Sequence, residues 1–195
     1  MEHLLKYFTP VKYVLDIEID KHKKTIGGSV KIFGEILSDV IKFHAVRLKI
    51  LDVTVGGENV KFENDGEALS ISGLKPGNAE IVINYSGKLN ENMQGAYLSY
   101  YQYKGKTETI VATQFESHYA REAFPCIDEP AAKAEFDVKI TTPDPDDLVI
   151  VNTPSPRMST YLLAWVVGKF HGKTIKNKHG VEITTYAALN QDIDA

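Results

Sequence analysis

Strict apolar alternation is the feature that most limits what this chain can fold into. Tyr13, Leu15, Ile17 and Ile19 alternate with Lys12, Val14, Asp16 and Glu18, as a strand with one wet face requires. Val30, Ile32 and Ile36 repeat the pattern, with Gly34 standing where a side chain would point inward. A glycine there predicts a bulge or a close backbone approach. Shorter strands are expected at 39–44, 47–55, 58–62 and 68–72, then around Ile81, Ile83 and Tyr85, and over TETIVATQF. Phe136, Val138 and Ile140 alternate again, TYLLAWVVG reads as a strand buried on both faces, and VEITTYA closes the series. The Gly-, Asn- and Tyr-rich stretch 86–105 reads as a loop. Turn chemistry marks the breaks: GG at 27–28 and 56–57, NDG at 64–66, PG at 76–77 and PDPDD at 143–147. No stretch sustains a helical period, and only 117–123 and 129–135 are expected to make short helical turns. The expected fold is all-β, a mostly antiparallel sandwich of sheets over residues 1–195.

Composition narrows the function classes. The formal charge of −4, from 22 basic and 26 acidic residues without large blocks of either sign, argues against nucleic acid as a partner. One cysteine forms no internal disulfide, which points to a reducing, cytoplasmic setting. No apolar run is long enough to span a bilayer as a helix, and MEHLLKYFTP lacks the apolar core and cleavage site of a signal peptide. A soluble chain with no membrane partner is therefore expected.

Residues 113–130, TQFESHYAREAFPCIDEP, concentrate the reactive side chains. None of the six histidines forms an H-E-x-x-H pair, and His118 with Glu122 reads as a surface contact, so no metal site is expected. Cys126, between Pro125 and Ile127, reads as buried and inert. No nucleophile elbow or phosphate loop occurs. The tyrosines of 97–103 could stack bases or sugars, but more simply cover a sheet edge. Gln114 and Glu116 differ from these. On a strand they point to one face and Phe115 to the other. An amide beside a carboxylate can hold an ammonium group, whereas the plainer reading is a solvated strand face.

TQFESHYAREAFPCIDEPAAKAEFDVKI (113–140) closely resembles the signature of the amino-terminal domain of zinc aminopeptidases of the aminopeptidase N type. That family also holds leukotriene hydrolase, the tricorn-interacting factors and puromycin-sensitive aminopeptidase. PRMSTYLLAWVVGKF (156–170) is similar to the next family marker, and YFTPVKYVLDIEID (7–20) to its opening strand. The resemblance implies a saddle-like β-domain that precedes a thermolysin-like catalytic domain. It also implies that Gln114 and Glu116 reach the active-site cleft, Glu116 helping to bind the substrate's free α-amino group. Arg121, Phe124, Pro125, Asp128, Glu129 and Pro130 are implied to be mainly structural, with Arg121 partnering the acids.

The family's G-[AG]-M-E-N loop and H-E-x-x-H zinc site do not occur here. The chain is thus expected to be a non-catalytic piece holding no cofactor, with zinc belonging to the catalytic domain of the parent. Its expected partners are that domain and the N-terminus of a peptide. At 149–160, VIVNTPSPRMST, the variable hairpin usual in the family looks deleted, which could leave a sheet edge open to self-association. The rival reading is a stand-alone β-sandwich binding or scaffold module that self-associates.

Overall fold

A computed structural model describes residues 2–193. The long alternating segments lie together in a six-stranded sheet. Its members are β1 (Phe8–Asp20), β2 (Thr25–Ile36), β4 (Lys49–Val55), β5 (Glu58–Asn59), β8 (Gly77–Lys88) and β11 (Glu135–Thr141). Their order is β11-β1-β2-β8-β4-β5, antiparallel except for the parallel β1–β11 pair. A three-stranded sheet holds β3 (Val40–His44), β6 (Phe62–Asn64) and β7 (Ala68–Ser72). A four-stranded sheet, in the order β12-β13-β10-β9, holds β9 (Gly95–Tyr103), β10 (Lys106–Gln114), β12 (Leu148–Val151) and β13 (Trp165–Gly168). A separate hairpin joins β14 (Phe170–Lys176) to β15 (Glu182–Ala188). The fold is all-β and mostly antiparallel, as expected from the alternation.

The predicted inward residues form the core. Tyr13, Leu15 and Ile17 of β1, Val30 and Ile32 of β2, and Ile81 and Ile83 of β8 are fully buried. Gly34 lies beside a register shift between Pro10 and Lys12. A Cβ at Gly34 would sit 2.3 Å from Thr9 O and 2.5 Å from the Phe8 ring, so both the bulge and the close approach occur.

Three local expectations change. The stretch 86–105 is not a loop: β8 runs on to Lys88, and β9 occupies Gly95–Tyr103. β9 pairs along its length with β10 through a tight turn in which Lys104 and Gly105 both take positive φ, the hairpin geometry that matches strand twist. TYLLAWVVG is only half a strand. Thr160–Leu162 forms a 3-10 turn with Leu162 exposed, and β13 begins at Trp165, whose N–H donates to Thr113 Oγ1 at 3.0 Å. Of the two helical turns, 117–123 contains a 3-10 turn at Ala120–Glu122, whereas 129–135 makes only a hydrogen-bonded turn before β11.

The short 149–160 connection protects the outer edge of β11. The Phe136 N–H donates to Ser155 Oγ at 2.9 Å and the Val138 N–H to Thr153 Oγ1 at 2.8 Å. Those donors would otherwise form an open edge.

Two buried tyrosines make a matched test of the interior. The Tyr13 hydroxyl accepts the Ile127 N–H at 3.1 Å, while the buried Tyr85 hydroxyl has no hydrogen-bond partner among the described residues. Tyr13→Phe strands a buried N–H and is expected to cost about 1–3 kcal/mol, whereas Tyr85→Phe costs nothing. Thermal unfolding of the two variants checks this, and equal losses would contradict it.

Candidate functional site

The site is built at the end of β10. Phe115, 1% exposed, packs edge-on against Trp165 at 5.1 Å and Phe124 at 6.1 Å between ring centroids. Just before it, Thr113 Oγ1 takes the Trp165 N–H and donates to Trp165 O at 3.3 Å. With Phe115 turned inward, Gln114 and Glu116 on either side of it are exposed. Among the described residues, neither side chain has a hydrogen-bond or ion-pair partner. Opposite Gln114 in the register stands Gly95, which is buried under the Asn90 and Glu122 side chains. A Cβ at Gly95 would come 2.9 Å from Asn90 Nδ2.

The chain then turns sharply. The Glu116–Ser117 peptide is cis, and the Tyr119 N–H closes back on Phe115 O at 2.9 Å. His118 and Glu122 do not meet as a pair. His118 is exposed, with Nδ1 2.8 Å from Ser117 Oγ and its ring stacked on Tyr119. Glu122 points back toward the sheet, where it binds the Arg47 guanidinium and accepts the Asn90 amide at 2.7 Å. Gln94 donates to the Tyr119 hydroxyl at 2.9 Å. These contacts hold the turn carrying Glu116 against the start of β9. Sequence reasoning passed over Arg47, Asn90 and Gln94, because the contacts span up to 75 residues and no local spacing announces them.

Residues 120–128 form a buried corner. Arg121 donates from Nε to Asp128 Oδ2 at 3.0 Å, from Nη2 to Asp128 O at 2.9 Å, and from its backbone N–H to the same carboxylate at 3.2 Å. The Asp128 N–H donates to His44 Nδ1 at 3.1 Å. Burial pushes the Asp128 carboxyl above its usual range, against the pull of Arg121. Burial first, and the Arg121 charge second, hold His44 down to about 4, so its ring is neutral and free to accept. Cys126 lies wholly buried, and burial pushes its thiol well up, which makes it inert. Of the implied partners of Arg121, only Asp128 pairs with it. Glu129 instead takes the Leu4 N–H and lies 3.4 Å from His3 Nδ1.

Among the described residues, no three His, Cys, Asp or Glu side chains gather as metal ligands. The zinc implied by the resemblance therefore finds no donor set among the described residues. The tyrosines of β9 lie on a sheet edge, with the Tyr101 hydroxyl donating to Lys169 O at 3.0 Å. Among the described residues, no helix is long and apolar enough to cross a membrane.

Comparison with known proteins matches residues 9–177 to the peptidase M1 N-terminal domain. The chain belongs to that family. It is 39% identical to an aminopeptidase N of Lactococcus lactis subsp. lactis, over 96% of this chain and 24% of the relative. An aminopeptidase N of Lactobacillus helveticus is 36% identical over the same shares. Endoplasmic reticulum aminopeptidase 1 of Rattus norvegicus is 32% identical over 94% of this chain and 23% of its own length. The chain thus spans about a quarter of the length of the relatives it matches. The first alignment runs to 208 positions against 195 residues here, so the lactococcal protein carries extra residues inside the matched region.

The neutral His44 makes stability depend on pH. Its folded value near 4 lies below the ordinary 6.5, so the unfolded chain binds the additional proton. The contribution is present above about pH 6.5 and drains away as pH falls toward 4. His44→Asn, whose amide oxygen can take the same N–H, is expected to flatten this loss, worth roughly 5 °C in melting temperature. Thermal melts of both proteins between those limits provide the check, and parallel curves would refute it.

Proposed function

We propose that this chain is the non-catalytic N-terminal domain of an M1-type aminopeptidase and that Gln114 and Glu116 anchor the free amino terminus of the peptide substrate. The observation that carries the reading is the pair itself: two exposed, unpartnered polar side chains presented on either side of a locked aromatic ring. A carboxylate attracts an ammonium group and forms a charge-assisted hydrogen bond with it, and the neighbouring amide oxygen can take a second N–H. Membership of the family supports the reading, as does similarity to proteins named aminopeptidases. The pair supplies position rather than bond-breaking chemistry. Holding the amine places the first peptide bond one residue away, at a fixed distance from groups that lie outside this chain.

The test is a chimera in which this chain replaces the matched N-terminal quarter of the lactococcal aminopeptidase N. Glu116→Ala is expected to lower kcat/KM for an unblocked aminoacyl substrate roughly ten- to a hundredfold. Glu116→Gln, which keeps an acceptor without the charge, should fall between. With an N-acetylated substrate, which has no ammonium group to recognise, the variants should differ little from the parent chimera. A wild-type value for Glu116→Ala on the unblocked substrate would remove the anchoring role.

A further inference from the structure

Residues 91–94 carry the chain from Asn90 into β9, and they form a loop at the same end of the sheet as Gln114 and Glu116. Gly95, which follows the loop, stands directly opposite Gln114 in the β9–β10 register. Both ends of the loop are tied down. Asn90 Nδ2 donates to Gln94 O at 2.8 Å and to Glu122 Oε2 at 2.7 Å, and Gln94 Nε2 donates to the Tyr119 hydroxyl at 2.9 Å. The other polar side chains of the loop are also engaged: Glu91 takes Lys24 Nζ at 2.5 Å, and Asn92 donates to Gln94 Oε1 at 3.1 Å. Met93 is the exception. It is 67% exposed, more than any other large apolar side chain among the described residues, and it belongs neither to the core nor to the apolar side chains packed on it. Its backbone takes a φ of 58°, in the left-handed region that suits glycine and disfavours a long side chain. Met93 thus gives the fold nothing that glycine would not give better.

We propose that Met93 meets the side chain of the substrate's first residue and favours peptides that begin with an apolar residue, a proposal that rests on the anchoring role of Gln114 and Glu116. A captured amine fixes where that side chain starts, because its Cβ lies only about 2.5 Å from the amine nitrogen. The first side chain therefore leaves from beside Glu116. The loop that carries Met93 is bonded to the turn that carries Glu116, through Gln94 and Tyr119, and Tyr119 in turn closes on Phe115 O. A methionine on a loop held at both ends offers an apolar contact at a constant place. Its unbranched thioether adapts to first residues of differing shape, so the preference is for apolar character and not for one residue. No other side chain of the loop can supply this contact, since the remaining three are polar and bonded elsewhere.

The chimera with the lactococcal peptidase portion, assayed on leucyl and lysyl substrates that share one leaving group, tests this. Met93→Gly is expected to lower the leucine-over-lysine ratio of kcat/KM roughly tenfold, chiefly through a raised KM for the leucyl substrate. The melting temperature should stay close to the parent value, because glycine fits the left-handed backbone. Met93→Glu should move the ratio further toward lysine, whose side-chain ammonium it attracts, and Met93→Leu should retain the parent ratio. A ratio unchanged by both Met93→Gly and Met93→Glu overturns the proposal. So does an equal loss on the two substrates, which marks a structural role for Met93. Glu116→Ala keeps the two proposals apart. Both substrates carry the same α-amino group, so loss of the anchor lowers both values together and leaves their ratio in place. A shifted ratio in the Met93 variants beside a wild-type value for Glu116→Ala would sink the anchoring role and leave the apolar contact standing.

Discussion

The buried Arg121–Asp128 pair stands where three sheets meet, and each sheet sends a polar group to the corner around it. The six-stranded sheet contributes the Tyr13 hydroxyl, which takes the Ile127 N–H. The three-stranded sheet contributes His44, whose backbone exchanges hydrogen bonds of 2.8 and 3.1 Å with Cys126 and whose ring takes the Asp128 N–H. From the segment leading into the four-stranded sheet, Thr160 Oγ1 donates to Ile127 O at 3.3 Å. A buried ion pair contributes little net stability by itself, because desolvation consumes most of the attraction. Its value here is directional: the pair closes the 121–128 corner on itself, and the backbone groups of Ile127 and Asp128 are then taken up from three sides by Tyr13, His44 and Thr160.

That corner determines where Gln114 and Glu116 can be. Phe124 follows Arg121 by three residues and forms one wall of the aromatic cluster that holds Phe115. Gln114 and Glu116 are therefore bonded on both sides to a ring that cannot move without disturbing Trp165 and Phe124. Exposed side chains at a strand end are ordinarily mobile. Here the backbone between them is fixed by packing, the strand before them by the paired Thr113–Trp165 hydrogen bonds, and the turn after them by Tyr119 and Glu122. Positioning of this kind is what anchoring an amine near a scissile bond demands, since small displacements cost rate steeply.

Much of the fold was legible because one rule covers β1, β2, β8 and β11: a strand with one dry and one wet face alternates. The rule has nothing to say about β9, whose run GAYLSYYQY places apolar groups on both sides. For that reason 86–105 read as a loop and the Thr160–Gly168 stretch as one long strand. At the site, alternation placed Gln114 and Glu116 together, but the residues alone favoured a solvated strand face. Only the resemblance at 113–140 implies the substrate-facing reading. The Arg47–Glu122–Asn90 bracket stayed hidden because its members lie far apart in sequence and are individually unremarkable surface residues.

The failure of alternation in β9, β10 and β13 has a physical origin. A strand in a sheet that stays wet on one side must alternate, because burying polar side chains without partners and exposing apolar ones to water are both costly. A strand that ceases to alternate within an otherwise alternating chain is a strand whose second face was selected to leave water. Within β9, β10 and β13 this holds where Tyr97, Ala112 and Val166 line up, and it stops at Glu108 and Lys169, where charge resumes. Gln114 sits at the opposite limit, the first polar side chain beyond the apolar rows. The apolar rows thus end in charge at one limit and in an amide and a carboxylate at the other.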